Sequence, residues 1–113
     1  MAFRPIARLD QISPRFPTRI EFAPNDSPYA IAIFRVGDEL LAVEDRCTHQ
    51  DYPLSEGDVR GEEVTCPLHG ACFNLRTGIA TCGPCNGPVR TFPLRIVGDQ
   101  VEVDLAPTAA TEA

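Results

Sequence analysis

The sequence has no long hydrophobic run, and this absence excludes one class of protein. A transmembrane helix needs about 20 consecutive apolar residues, and no such stretch occurs in the 113 residues. The first residues, Met-Ala-Phe-Arg-Pro, carry a charge with no apolar run behind it, so we expect no secretory signal. These features lead us to expect a soluble, cytoplasmic protein.

Positive charge is also scarce. Ten Lys and Arg residues stand against sixteen Asp and Glu residues, which gives a formal net charge of −6 and a pI near 4.7. Nucleic acids and anionic membranes are poor partners for such a surface. Two interpretations remain open: the charge only keeps the protein in solution, or it steers association with a basic protein partner.

The length limits the domain organisation. A chain of this size forms one domain and buries roughly two-thirds of its unfolded surface, so it needs neither disulfides nor a metal merely to fold. We predict a single domain over residues 1–105, followed by a small, polar and disordered tail over 106–113. The five cysteines are expected to be reduced, and some metal-bound, rather than paired in disulfides.

Helix-like periodicity is scarce, whereas the alternation of apolar and polar residues that is typical of strands recurs along the chain. Gly37-Asp38 and Gly98-Asp99 predict the turns of two hairpins, at 33–43 and 92–105, because glycine at the first turn position suits a type II′ turn. Residues 46–61 and 77–88 are predicted to be irregular. The predicted class is all-β and antiparallel, with strands near 3–8, 17–22, 29–36, 39–44, 63–66, 71–75, 89–97 and 100–105.

The only two histidines each lie close to a cysteine. Cys47-Thr48-His49 is followed, after sixteen residues, by Cys66-Pro67-Leu68-His69, and each motif lies where a predicted strand ends. Two hairpin tips brought together would enclose a metal site with two thiolates and two imidazoles. One interpretation is a structural zinc, although a zinc finger has its Cys pair before its His pair. The other is an iron–sulfur cluster with mixed ligands.

These two motifs resemble the two cluster-binding boxes of Rieske proteins. The resemblance continues through Gly70 and through Phe73-Asn74-Leu75-Arg76-Thr77-Gly78, which is similar to the strand and turn after the second box. Over about residues 2–105 the chain is similar to the Rieske ferredoxins of bacterial aromatic-ring-hydroxylating dioxygenases. The resemblance implies the Rieske fold, with antiparallel sheets and a cluster-binding part, here about 45–88, built from two hairpin loops.

The resemblance also implies a [2Fe–2S] cofactor and its four ligands. Cys47 and Cys66 would bind the inner iron, and His49 and His69 would bind the outer iron through Nδ1. The Nε2 atoms of the histidines would then lie near solvent, as the exit for the electron. In the family a third, proline-containing loop covers the cluster, and residues 83–88 match it.

Four positions depart from the high-potential Rieske proteins of respiratory complexes. Those proteins have a disulfide between the two ligand loops where this chain has Tyr52 and Leu68. They also have Ser and Tyr hydroxyls near the cluster where this chain has Ala71 and Phe73. The chain therefore resembles the soluble, low-potential branch of the family.

Other reactive residues have alternative explanations. Cys82-Gly83-Pro84-Cys85 has the sequence of the thioredoxin active site, but Asn86-Gly87-Pro88 stops the helix that this chemistry needs. Loop cysteines that shield the cluster are the favoured interpretation, and Cys72 is expected to fill the core or an interface. An acidic group around the first ligand loop forms either a solvated surface or a docking rim, and consists of Glu44, Asp45, Asp51, Glu56, Asp58, Glu62 and Glu63.

The function that the resemblance implies is one-electron transfer. The electron donor would be an NAD(P)H-dependent flavin reductase, and the acceptor a terminal ring-hydroxylating oxygenase with its own Rieske cluster and non-heme iron. No catalytic residue set and no nucleotide-binding glycine fingerprint occurs, so we expect a monomeric carrier that is not an enzyme by itself. The alternatives are the small Rieske-like subunit of a nitrite reductase, some of which lack the ligands, and a cluster-based redox sensor.

Overall fold

The computed structural model describes residues 3–13, 16–22, 30–47, 52–67, 70–83 and 87–105. They form antiparallel strands and two short 3-10 helices, Leu9–Gln11 and Leu54–Glu56, without an α-helix. The predicted all-β, antiparallel class is therefore confirmed, while the predicted tail lies outside the described residues. No helix in the described ranges is long and apolar enough to span a bilayer.

The strands are β1 (Phe3–Arg8), β2 (Thr18–Ile20), β3 (Ile31–Val36), β4 (Glu39–Glu44), β5 (Asp58–Arg60), β6 (Glu63–Thr65), β7 (Cys72–Asn74), β8 (Ala80–Cys82), β9 (Thr91–Phe92), β10 (Leu94–Val97) and β11 (Gln100–Asp104).

The strands form three sheets. Their orders are β1-β11-β10 for the first, β2-β3-β4-β9 for the middle and β5-β6-β7-β8 for the third. The middle sheet is apolar on both faces, as its strand β3 shows. Ile31 and Ile33 pack in one buried cluster, with Val101 of the first sheet. Ala32 and Phe34 pack in the other buried cluster. Because successive side chains of a strand point to opposite faces, the middle sheet contributes to two separate cores.

Both predicted hairpins are present. Strand β3 pairs with β4 around Gly37-Asp38, and β10 pairs with β11 around Gly98-Asp99. The φ angles of Gly37 and Gly98 are 62° and 63°, which are the positive values that primed turns require at the first turn residue.

The predicted single strand at 89–97 is wrong, because the chain changes sheets at Pro93. Strand β9, before the proline, pairs with β4 in the middle sheet, and β10, after it, pairs with β11 in the first sheet. Proline has no N–H to donate to a sheet ladder. Its carbonyl instead accepts a hydrogen bond from the Asp104 N–H at 3.1 Å, at the point where one sheet ends and the next begins.

The two stretches predicted to be irregular contain regular structure. The first includes β5, which pairs with β6, and the second includes β8, which pairs with β7. In β5 only Val59 is apolar among charged residues, so the alternation is too short to recognise in the sequence. Its turn is made by Gly61, at a φ of 61°.

Candidate metal centre

Two loops with the same backbone closure carry the two cysteines of the Cys–His motifs. The Cys47 N–H donates to the carbonyl of Tyr52 at 2.8 Å, and the Cys66 N–H donates to the carbonyl of Ala71 at 2.7 Å. Each bond closes a loop with cysteine as its first residue, at 47–52 and at 66–71. The first loop follows β4 and the second follows β6, so each cysteine is placed by the end of a strand.

The two loops bring the thiols into one core. Cys47 is fully buried and Cys66 is 2% exposed, and both belong to the apolar cluster that also contains Phe34, Val64 and Phe73. Both residues remain thiols. Two thiols in one water-excluded core, each at the start of a closed loop, form the arrangement expected for cysteine ligands on the inner side of a metal group.

Both histidines lie outside the described residues. In the sequence, His49 falls between the hydrogen-bonded ends of the first loop and His69 between those of the second. Within the described part of the chain, which includes neither histidine, no group of three or more Cys, Asp, Glu or His residues could hold a metal ion. The four-ligand assignment therefore stays a prediction, for which the structure provides the position of the two cysteines.

The residues that are present fit an iron–sulfur cluster by their donor chemistry. Thiolates are soft ligands that bind iron in such clusters, and two imidazoles replace two thiolates in the Rieske type. Gly70, with a φ of 78°, turns the chain at the end of the second loop. Its N–H donates to the Cys66 carbonyl at 3.0 Å, which tightens the loop around the cysteine backbone.

Gly83, directly after β8, packs against the end of the second ligand loop. A Cβ atom at Gly83 would lie 2.6 Å from the carbonyl oxygen of Gly70 and 2.9 Å from the Ala71 Cα. The φ of Gly83 is 75°, so this close approach needs glycine for both space and conformation. The expectation that residues 83–88 cover the cluster stays a prediction, because 84–86 lie outside the described residues.

The expectation that the cysteines outside the ligand set are reduced is wrong for one pair. Cys72 and Cys82 form a disulfide, because the pairing of β7 with β8 places them opposite each other with their Cα atoms 4.9 Å apart. Cys82 therefore bonds to a cross-strand partner and lies in a strand, which is not the setting of a thioredoxin-type site. The disulfide ties the strand after the second ligand loop to β8.

The acidic group around the first loop is not one surface. Glu44 is 1% exposed and Asp45 is 6% exposed, so neither the solvated nor the docking interpretation holds for them. The Glu44 carboxylate accepts hydrogen bonds from the Arg90 N–H at 2.8 Å and from the Arg46 side chain at 3.3 Å. Glu56, Asp58 and Glu62 are exposed and remain candidates for docking, and Asp51 lies outside the described residues.

Asp45 binds three donors. Its carboxylate accepts hydrogen bonds from the Ser55 N–H and the Ser55 hydroxyl, both at 2.6 Å, and from the Arg19 guanidinium at 2.8 Å. The hydrogen bond with Asp45 is the largest cause of the raised pKa of Arg19. No pattern in the sequence predicts this network, because its members lie in three separate segments of the chain.

Comparison with known proteins agrees with this geometry. The Rieske [2Fe-2S] domain model matches residues 2–93, so the chain belongs to the Rieske [2Fe-2S] family. The anthranilate 1,2-dioxygenase ferredoxin subunit of Burkholderia cepacia is 51% identical over 75 residues, covering 66% of this chain and 69% of that protein. The 3-phenylpropionate/cinnamic acid dioxygenase ferredoxin subunit of Escherichia coli K12 is 42% identical over 81 residues, covering 71% and 76%.

A solved structure is similar over nearly the whole chain. It is a complex of reduced oxygenase and oxidized ferredoxin in carbazole 1,9a-dioxygenase, and the matched chain has a TM-score of 0.83 and 30% sequence identity. The match covers 94% of this chain and 95% of that chain. The Rieske fold that the two Cys–His motifs imply is therefore confirmed.

Proposed function

We propose that this protein is the ferredoxin component of a multicomponent dioxygenase. It carries single electrons from an NAD(P)H-dependent flavin reductase to a terminal ring-hydroxylating oxygenase. The observation that carries this proposal is the similarity, over 94% of the chain, to a ferredoxin solved in complex with an oxygenase. Two curated relatives, at 51% and 42% identity, are likewise ferredoxin subunits of dioxygenases. Such a component transfers electrons and is not an enzyme by itself.

The proposed ligands are Cys47 and Cys66 for the inner iron and His49 and His69 for the outer iron. Burial of both thiols in one core supports the first pair, and the position of each histidine inside a closed loop supports the second. A bound [2Fe–2S] cluster supplies reversible one-electron transfer. Cys47 and Cys66 would hold it from within the buried apolar core.

We propose further that the protein acts as a monomer in the cytoplasm. Its formal charge of −6 supports the monomeric state, since copies of the chain with the same net charge repel one another. The same charge favours encounter with a basic surface on the oxygenase or the reductase.

The ligand assignment is tested by two sets of variants. His49→Ala and His69→Ala should each abolish a stable cluster, because each removes one of only two ligands on the outer iron. The triple variant Cys72→Ser, Cys82→Ser and Cys85→Ser should retain the visible absorption and the EPR spectrum of a Rieske cluster. A colourless triple variant, with histidine variants that keep the spectrum, would overturn the assignment.

Electron delivery is tested by mixing the reduced protein with candidate oxygenases. We expect rapid oxidation of the carrier and formation of hydroxylated product in the presence of an aromatic substrate. The His49→Ala protein serves as the control that cannot carry the electron. Oxidation by a sirohaem nitrite reductase, but by no oxygenase, would favour the nitrite reductase alternative.

A further inference from the structure

A buried carboxylate lies beside the first ligand loop and outside the proposed ligand set. Asp45 comes two residues before Cys47, and its side chain has no exposed surface. Burying a carboxylate is costly unless it is paired or hydrogen-bonded. Asp45 meets this requirement with the two donors of Ser55 and with Arg19, so its neighbours have to stay in place for the charge to remain buried.

The Asp45–Ser55 contact closes the first ligand loop a second time. The inner closure is the backbone bond from Cys47 to Tyr52. The outer closure joins Asp45, before the cysteine, to Ser55, after the tyrosine, through a backbone and a hydroxyl donor. Because the outer bonds enclose the inner one, the backbone of Cys47 is held from both sides.

We propose that Asp45 is a positioning residue that fixes Cys47, and with it the first ligand loop, around the cluster. The proposal rests on the assignment of Cys47 as a ligand. Arg19, on β2, anchors the carboxylate to the middle sheet, so the chain just before Cys47 is tied to that sheet. Removing a group that orients a metal ligand typically costs about 10- to 100-fold in metal affinity.

The test compares variants at Asp45 with a variant at Asp104, a buried carboxylate elsewhere in the fold. Asp104 is 5% exposed and lies at the end of β11, in the first sheet. Asp45→Ala should lose its cluster to an iron chelator roughly 10- to 100-fold faster than the wild type, with an altered EPR line shape in the cluster that remains. Asp45→Asn, which keeps an oxygen for the Ser55 N–H, should restore most of the retention. Asp104→Ala should lower the unfolding midpoint but retain the wild-type chelation rate and EPR spectrum.

Two results would overturn the proposal. One is an Asp45→Ala protein with wild-type EPR and a chelation rate equal to that of Asp104→Ala. The other is an Asp45→Asn protein that loses its cluster as fast as Asp45→Ala. If Asp45→Ala does not fold, Ser55→Ala replaces it, because that variant removes the hydroxyl donor and keeps the backbone one. Ser55→Ala should lose its cluster several-fold faster than the wild type, and a wild-type rate would refute the positioning role.

The wild-type spectrum separates this proposal from the proposed function. If the wild-type protein binds no Rieske cluster, or if Cys47→Ser keeps it, the ligand assignment itself is wrong. If the wild type has the cluster and Cys47→Ser does not, the Asp45 variants test positioning alone.

Discussion

A methyl group added at residue 83 tests how closely the segment after β8 packs on the second ligand loop. In Gly83→Ala, the new Cβ would lie 2.6 Å from the Gly70 carbonyl oxygen and 2.9 Å from the Ala71 Cα, which are backbone atoms that cannot rotate away. Alanine in the left-handed conformation costs about 1–2 kcal/mol, and overpacking costs about 1–3 kcal/mol more. We therefore expect a loss of about 2–5 kcal/mol in the free energy of unfolding.

Gly37→Ala is the matched control. Gly37 has a φ of 62°, close to the 75° of Gly83, but a Cβ there would meet no atom within 4 Å. This variant should therefore show only the conformational cost of about 1–2 kcal/mol. The difference between the two variants isolates the contact with the ligand loop from the backbone conformation.

The assay combines a guanidinium titration, followed by circular dichroism, with the EPR spectrum of the reduced cluster. Gly37→Ala should lower the midpoint modestly and leave the spectrum unchanged. Gly83→Ala should lower the midpoint further and alter the spectrum, because the carbonyl of the displaced Ala71 holds the Cys66 N–H. Equal midpoints and equal spectra for the two variants would refute the close packing of Gly83 on the ligand loop.

Three other predictions concern the potential, docking and an ion pair. The midpoint potential of the cluster should be about −150 mV. The double variant Ala71→Ser with Phe73→Tyr should raise it by roughly 40 mV per hydroxyl donor, and a negative shift in voltammetry would contradict this. Turnover at limiting oxygenase should fall as salt shortens the Debye length from about 10 to 3 Å, and Glu56→Lys should mimic high salt, whereas salt-independent kinetics would exclude acidic docking. Arg76→Met should lower the unfolding midpoint at low salt but not at high salt, because it removes exposed ion pairs with two glutamates. Since the hydrogen bond with Arg76 lowers the pKa of Glu39 from its ordinary value, the low-salt destabilisation of Arg76→Met should be present at neutral pH and disappear as the pH falls through that lowered pKa and Glu39 is protonated.

The sequence predicts those parts of the fold that local chemistry determines. The hairpin turns at Gly37-Asp38 and Gly98-Asp99 follow from glycine at a position that needs a positive φ, together with alternating strands on both sides. The sequence does not predict strands β5 and β8, because neither has an apolar pattern of its own. Each forms by pairing with a neighbouring strand of the third sheet, β5 with β6 and β8 with β7. The change of sheets at Pro93 likewise depends on which two partners are available, which a pattern within one segment does not specify.

At the metal centre too, local motifs could be predicted from the sequence, whereas contacts between distant residues could not. The spacing of the two Cys–His motifs predicts Cys47 and Cys66 as ligands, because a local motif defines each loop, and the structure places both thiols in one core. The Cys72–Cys82 disulfide was not foreseen, since it requires the register of β7 against β8. The contacts of Asp45 were not foreseen either, since Ser55 and Arg19 lie 10 and 26 residues away in the chain.

The burial of Glu44 and Asp45 changes where an oxygenase could dock. The sequence left both residues either on a solvated surface or in a docking rim, but their charges are enclosed by the Arg90 N–H, by Ser55 and by Arg19, so they cannot meet a partner side chain. A basic partner would instead meet exposed carboxylates beyond the first ligand loop, such as Glu56. Because we propose that Asp45 holds the first ligand loop, whereas Glu56 lies on the exposed surface, substitutions at the two residues should have separable effects. Asp45→Asn should leave the salt dependence of turnover unchanged, and Glu56→Lys should change it without altering cluster retention.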